Sequence, residues 1–190
     1  VGGVLDNICN SACQFCSSKL STKIGSLISA DYPIYDNSSK YQSLPWHRIE
    51  HLDVNGGEPS ASKNYKALIK NLPPSLKTLR LNTNCMILLP ELNEIQHQGV
   101  DVTVTVSFDG IGSVNDYVRW PAKWDSYLKN LMAYKEFNLH SVNLWTTINA
   151  LNINDIENIF KFVDEHEFDH SYSFLKHPQA LDVSYTDSFT

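Results

Sequence analysis

The sequence has 190 residues, of which 42% are hydrophobic and 19% are charged, a composition typical of one folded globular domain. The formal net charge of −6 argues against non-specific binding of nucleic acid, because such binding needs a basic surface. No apolar run approaches the roughly 18 residues of a membrane span, so no contact with a membrane is predicted.

Near the start of the chain, three cysteines follow a short strand predicted over residues 1–5. Cys9, Cys13 and Cys16 are separated by three and then two residues, so one loop can turn all three sulfurs toward a common point. Such a cluster predicts zinc or iron–sulfur in a reducing compartment rather than disulfides. Three ligands leave a tetrahedral zinc site one short, but they suit a [4Fe–4S] cluster with one open iron.

Predicted helices and strands alternate along the rest of the chain. Apolar residues at helical spacing predict helices over 17–30, in the stretch that ends at Pro73-Pro74, and over 88–98, 123–137 and 154–167. Strands are predicted over 49–55, 76–83, 100–108, 141–149 and 171–175, and residues 31–46 are predicted to form an irregular loop. About six β-α units imply a parallel sheet with right-handed crossovers, either open and doubly wound or closed toward a barrel.

The alternation of side chains along the predicted strands favours the barrel. It is clearest in the fourth strand, where three valines oppose three hydroxyl side chains: Val102, Val104 and Val106 against Thr103, Thr105 and Ser107. A sheet covered by helices on both faces should be apolar on both. A parallel sheet curled around a polar, ligand-filled cavity explains the pattern and places the chemistry at the carboxyl ends of the strands.

Three motifs in this order resemble the radical S-adenosylmethionine (SAM) superfamily, whose signature is C-x3-C-x2-C after the first strand. Besides the cysteine loop, Gly56-Gly57-Glu58-Pro59 follows the second strand and Val106-Ser107-Phe108-Asp109-Gly110 ends the fourth. The resemblance covers roughly residues 1–178 and implies an α/β fold, a partial (β/α)6 TIM-like barrel with parallel strands. It also implies a [4Fe–4S] cluster on Cys9, Cys13 and Cys16, which reductively cleaves SAM to a 5′-deoxyadenosyl radical that abstracts hydrogen from a substrate.

The resemblance further implies which residues contact SAM. Gly56 and Gly57, with Glu58 nearby, would receive its amino group, and Arg119 would clamp its carboxylate. Related peptide-modifying enzymes show the same serine and arginine spacing as Ser107 and Arg119. The full implied cofactor-binding set is Phe15, Gly56, Gly57, Glu58, Asn84, Ser107, Asp109, Arg119 and Asn149.

Several of these residues also have a plain structural interpretation. Arg119 could be a surface residue paired with Asp116, and Asn149 could simply end a strand in a turn. The two glycines could form an ordinary strand-to-helix turn. Cys85 stands where the family has glycine in Thr-Asn-Gly; it could face the cavity as a substrate-side thiol, but it is expected to be buried.

Two other functions compete with this interpretation. The first is a non-catalytic zinc or iron–sulfur module, in which His47, His51 or Cys85 completes a zinc site. The second is a nucleotide- or RNA-modifying radical SAM enzyme, against which the acidic balance weighs.

The Ser-x-Asp-Gly and arginine pattern most resembles the branch that carries a C-terminal SPASM or twitch extension, many of whose members modify peptides or proteins. The resemblance implies an unknown peptide, protein or small-molecule substrate and an electron donor such as flavodoxin or ferredoxin, in the cytoplasm. The chain starts without Met and shows no second cysteine cluster. We therefore expect a core domain over residues 1–178 and a linker or truncated extension over residues 179–190.

Overall fold

The computed structural model describes residues 1–185, and in this range six parallel strands form one sheet in chain order. The strands are β1 (Gly2–Val4), β2 (His51–Asn55), β3 (Thr78–Thr83), β4 (Asp101–Ser107), β5 (Ser141–Ile148) and β6 (Asp169–Phe174). A doubly wound sheet reverses its strand order at a switch point, whereas this sheet adds each strand beside the preceding one. The sequential order confirms the predicted parallel α/β fold of a partial TIM-like barrel.

Helices connect the strands, and most of them contribute side chains to the hydrophobic core that lies against the sheet. They are α1 (Thr22–Ile28), α2 (Ser38–Gln42), α3 (Lys63–Ile69), α4 (Glu91–His97), α5 (Ser113–Val118), α6 (Trp124–Glu136) and α7 (Ile156–Glu165). Within the described residues, four short 3-10 turns accompany them, at Trp46–Arg48, Pro59–Ala61, Ile153–Asp155 and Gln179–Leu181. Among residues 1–185, no helix has both the length and the apolar character needed to cross a membrane.

Two predictions about local structure were wrong. Residues 31–46 were predicted to form an irregular loop, but they contain α2, and a 3-10 turn begins at the last of them, Trp46. The helix predicted over residues 17–30 begins only at Thr22, because the Ser21 hydroxyl caps it by accepting a hydrogen bond from the Ile24 N–H at 3.3 Å. The separate short helix α5 follows the end of β4 and was not predicted.

The two faces of the sheet differ in polarity as the strand alternation predicts. Val102, Val104 and Val106 are fully buried beneath the helices and belong to one hydrophobic core with leucines of the neighbouring strands. On the opposite face, Thr103 and Thr105 are half-buried, and other side chains of this face, such as Arg80 and Asn82, are exposed. The helices therefore leave the polar face of the sheet uncovered. A ligand can bind on this side, at the carboxyl ends of the strands.

The segment after β6 packs back onto the sheet over its described part. The Leu181 carbonyl accepts a hydrogen bond from the Ala150 N–H at 2.9 Å, just beyond the end of β5. Of the segment predicted to be a linker or extension, residues 186–190 lie outside the described residues. The boundary predicted at residue 178 stays a prediction.

Candidate metal centre and cofactor site

The three clustered thiols lie on the loop between β1 and α1, and each is partly exposed. Ser11 lies between the first two, where its N–H donates to Cys9 Sγ at 3.4 Å and its hydroxyl lies 3.1 Å from Cys13 Sγ. Burial raises the pKa of Cys9 to about 11 and also raises the pKa of Cys16, with smaller contributions from the nearby Cys13 in both cases. Cys13 is thus close enough to both of the other thiols to interact with them electrostatically.

The chemistry of these donors fits a thiolate-bound iron–sulfur cluster. Hydrogen bonds to the ligand sulfurs tune the reduction potential of such clusters, and the Ser11 N–H already donates to the Cys9 sulfur. In the part of the chain that the structure describes, no three His, Cys, Asp or Glu side chains are gathered closely enough to hold one metal ion. A cluster differs from a single ion because its thiolates bind separate irons.

The residues suggested as a fourth zinc ligand point elsewhere. His51 begins β2 and its ring lies 2.9 Å from the Thr78 hydroxyl, at the amino end of the sheet, whereas the thiol loop follows the carboxyl end of β1. His47 precedes β2 and is exposed at that same amino end. Cys85 is fully buried, as predicted, and its thiol faces the Tyr127 carbonyl at 3.8 Å. The sequence alternative of a zinc site completed by one of these three is therefore not supported.

The backbone conformation of Cys85 matches the glycine that the Thr-Asn-Gly motif has at this position. Its φ of 61° lies in the left-handed region, where glycine is the usual residue. The position therefore keeps the backbone conformation that glycine favours, although it carries a thiol.

A distant segment of the chain holds the thiol loop in place. The Ala12 N–H donates to the Trp120 carbonyl at 2.7 Å, and the Gln14 N–H donates to the Val118 carbonyl at 2.9 Å. The Ser11 hydroxyl also lies 3.3 Å from the Arg119 carbonyl oxygen, to which it donates. The loop is thus paired, almost like a strand, with the residues that follow α5.

Gly56 and Gly57 lie against the backbone that leads into the thiol loop. The Gly57 N–H donates to the Asp6 carbonyl at 2.9 Å, and the Glu58 N–H donates to the Ile8 carbonyl at 2.7 Å. A Cβ at Gly57 would lie 2.1 Å from the Ile8 oxygen, and one at Gly56 would lie 2.5 Å from the Asp6 oxygen. Glycine is therefore required at both positions because two segments of the backbone approach each other closely there. A contact between these glycines and SAM stays a prediction.

Glu58 is almost fully buried and joins three parts of the site. Its Oε1 accepts hydrogen bonds from the Ser60 N–H and hydroxyl at 3.1 and 2.8 Å and from the Thr83 hydroxyl at 2.8 Å. Its Oε2 accepts from the Asn84 N–H at 2.6 Å, and the Asn84 amide donates to Asn10 Oδ1 at 2.7 Å. Burial raises the pKa of Glu58, although these donors oppose the rise. The carboxylate thereby ties the ends of β2 and β3 to the thiol loop.

Replacement of Glu58 by glutamine is expected to lower the free energy of unfolding by about 2 kcal/mol, because the amide NH2 must face a backbone N–H of Ser60 or Asn84. Urea denaturation measures the change. Glu50→Gln is the matched control, since Glu50 forms an exposed ion pair with Lys77 and its loss should cost under about 0.5 kcal/mol. Equal losses in the two variants would contradict the structural role of Glu58.

Arg119 is buried, with only 6% of its surface exposed, and it does not pair with Asp116. Its Nη2 lies 2.6 Å from Asp109 Oδ2, its Nη1 lies 3.6 Å from Cys13 Sγ, and its guanidinium lies 5.9 Å from the centre of the Phe15 ring. The alternative of a surface arginine paired with Asp116 is wrong. Burial alone would lower the pKa of Arg119, but the adjacent Asp109 outweighs it and holds the pKa above its usual value.

The remaining predicted residues follow β4 and β5. Asp109 Oδ1 accepts a hydrogen bond from the Thr147 N–H at 2.7 Å, which joins the two strand ends. Ser107 is half-buried at the end of β4. Asn149 is fully buried, where its amide donates to the Thr147 carbonyl and its oxygen accepts from the Leu151 N–H. These bonds match the turn interpretation of Asn149, and its contact with a cofactor stays a prediction.

All of the predicted site residues thus follow the carboxyl ends of β1 to β5 or, like Arg119, pack against the thiol loop. Sequence reasoning missed Asn10, which accepts a hydrogen bond from Asn84, and Ser11, which contacts the Cys9 and Cys13 thiols. The available signal was their position inside the C-x3-C spacing, where a polar side chain can reach a ligand sulfur.

The model of a family described as the Radical SAM superfamily matches residues 4–163. The fold is similar to crystal structures of Streptococcus suis SuiB. The SuiB structure with S-adenosylmethionine bound matches with a TM-score of 0.67 at 13% identity, and the match covers 95% of this chain and 42% of SuiB. The SuiB structure with precursor peptide SuiA bound matches with a TM-score of 0.65 at 14% identity, and the match covers 91% of this chain and 38% of SuiB.

A third SuiB structure matches with a TM-score of 0.63 at 14% identity, covering 93% of this chain and 38% of SuiB. At these identities the likeness concerns the fold, and this chain spans less than half the length of SuiB. By sequence, the chain matches no curated protein.

Proposed function

This chain belongs to the radical SAM superfamily, and we propose that it forms the core of an enzyme that generates a radical on a substrate with a [4Fe–4S] cluster and SAM. When bound, these two groups supply the reductive cleavage of SAM to a 5′-deoxyadenosyl radical, which abstracts hydrogen from a substrate. The observation that carries the proposal is the meeting of the thiol loop with buried Arg119 and with the Glu58 and Asn84 network at the carboxyl edge of the sheet.

The chain's own residues divide the work of holding the two groups. Cys9, Cys13 and Cys16 would ligate three irons, and the Ser11 N–H would donate to the Cys9 sulfur. Among the described residues, Arg119 Nε is buried without a hydrogen-bond partner, so it is a donor available to the SAM carboxylate. Phe15, on the same loop, would offer its ring face to the adenine.

A peptide or protein is the proposed substrate class. The Ser107 and Arg119 spacing resembles that of peptide-modifying members, and the fold is similar to that of SuiB, which has been crystallised with a precursor peptide. By the same resemblance we assign the chain to the SPASM or twitch branch. Flavodoxin or ferredoxin would supply the electron. Because the cluster thiols must stay reduced, we place the protein in the cytoplasm.

Anaerobic reconstitution with iron and sulfide is expected to load about four irons and four sulfides per chain. Addition of dithionite and SAM should then release 5′-deoxyadenosine, which chromatography detects. Reactions that lack dithionite or SAM are the controls. A chain that binds one zinc and forms no 5′-deoxyadenosine would instead be the non-catalytic metal module.

A further inference from the structure

The buried ion pair between Asp109 and Arg119 has a fixed orientation relative to the thiol loop. The guanidinium presents Nη1 to Cys13 Sγ at 3.6 Å, while its Nη2 lies 2.6 Å from Asp109 Oδ2 in the ion pair. The other Asp109 oxygen is anchored by the Thr147 N–H of β5. The positive end of the pair therefore faces the thiol loop, and the negative end is tied to the sheet.

The surroundings of the pair leave the guanidinium little freedom to turn. Both Asp109 and Arg119 are buried, and the Phe15 ring lies on the guanidinium at 5.9 Å from its carbon. The backbone of Val118 and Trp120, on either side of Arg119, accepts hydrogen bonds from Gln14 and Ala12 of the thiol loop. Loop and cation are thus held together by backbone hydrogen bonds as well as by the contact with Cys13.

We propose that Arg119 acts through the Cys13 ligand to raise the reduction potential of the cluster, an inference that rests on the proposed function. Reduction adds one electron from the external reductant to the cluster and forms or breaks no bond. A fixed positive charge nearby favours the state with the extra negative charge, and burial strengthens that interaction because solvent screens it less. Asp109 offsets part of the effect, since it lies beyond the guanidinium.

This role differs from a clamp on the SAM carboxylate and can be separated from it. A clamp acts only when SAM is bound, whereas a charge beside Cys13 shifts the potential of the cluster without SAM. Arg119 is thus a positioning and electrostatic residue toward the cluster, and the deciding readout is a midpoint potential rather than turnover.

The experiment is a redox titration of the reconstituted cluster without SAM, followed by electron paramagnetic resonance. In Arg119→Met, the ratio of reduced to oxidised cluster at a fixed potential should fall about tenfold, which corresponds to about 59 mV for a one-electron couple. Arg119→Lys should keep most of the wild-type potential, because it retains the charge. Arg48→Met removes an equal charge from an exposed site at the amino end of the sheet and should leave the potential unchanged.

Asp109→Asn supplies a test of opposite sign, and it decides if Arg119→Met does not hold the cluster. Loss of the offsetting negative charge should raise the ratio of reduced to oxidised cluster at a fixed potential by about threefold. An unchanged potential in Arg119→Met, or an unchanged or lowered one in Asp109→Asn, would overturn the inference while wild-type cleavage of SAM keeps the proposed function intact. A wild-type chain that assembles no cluster would overturn both.

Discussion

Alanine in place of Cys13 is expected to abolish both the bound cluster and the formation of 5′-deoxyadenosine. Cys13 is the central thiol of the loop, and both the Ser11 hydroxyl and the Arg119 guanidinium converge on its sulfur. With two thiolates left, one further iron loses its protein ligand. Iron and sulfide content, visible absorbance and chromatography after addition of SAM measure the loss.

Cys85→Ala is the matched control for the loss of Cys13. Its thiol is fully buried and faces the Tyr127 carbonyl rather than the loop. The variant should keep full iron content and lose only about 1 kcal/mol of stability, since it removes one small buried atom. Normal iron in Cys13→Ala, or a loss of iron in Cys85→Ala, would show that the ligands have been misassigned.

The second large effect is expected from Gly57→Ala, which should lower the free energy of unfolding by about 3 kcal/mol. The added Cβ would lie 2.1 Å from the Ile8 carbonyl oxygen, a backbone atom that cannot move aside as a flexible side chain can. In a chain of this size, the melting temperature should fall by roughly 10 °C. Because Ile8 precedes Cys9, the variant should also hold less iron after reconstitution.

Gly3→Ala serves as the control for Gly57→Ala. A Cβ at Gly3 would lie 3.4 Å from the Tyr41 hydroxyl, an ordinary contact, so the melting temperature should change by no more than about 2 °C. Differential scanning calorimetry compares the two variants. A melting temperature for Gly57→Ala within that range would mean that the turn can move away from Ile8, and the glycine would then have to be explained by a bound ligand.

Local patterns in the sequence were sufficient to predict much of this molecule. Alternation along β4 separated the valines under the helices from the hydroxyl side chains of the polar face, because successive side chains of a strand point in opposite directions. The spacing of Cys9, Cys13 and Cys16 placed three thiols on one loop. These inferences depend on residues a few positions apart, where chain geometry leaves little choice.

Helix ends and short helices were harder to predict. Because the Ser21 hydroxyl caps α1, this helix begins later in the chain than the spacing of apolar residues predicted. Helix α5 forms in a stretch without a clear periodic pattern. A single cap or a few hydrogen bonds decides such features, and weak propensities do not resolve them.

The sequence therefore specified the order of the elements, the polarity of each strand face and the three clustered thiols proposed as cluster ligands. The partners of the site residues depended on the three-dimensional fold. Ser11 donates to the Arg119 carbonyl 108 positions away, Asn84 bonds to Asn10 across 74 positions, and Arg119 pairs with Asp109 instead of its near neighbour Asp116. Such contacts depend on strand register and on the path of each crossover, which bring distant residues to one edge of the sheet. Local periodicity carries no information about either.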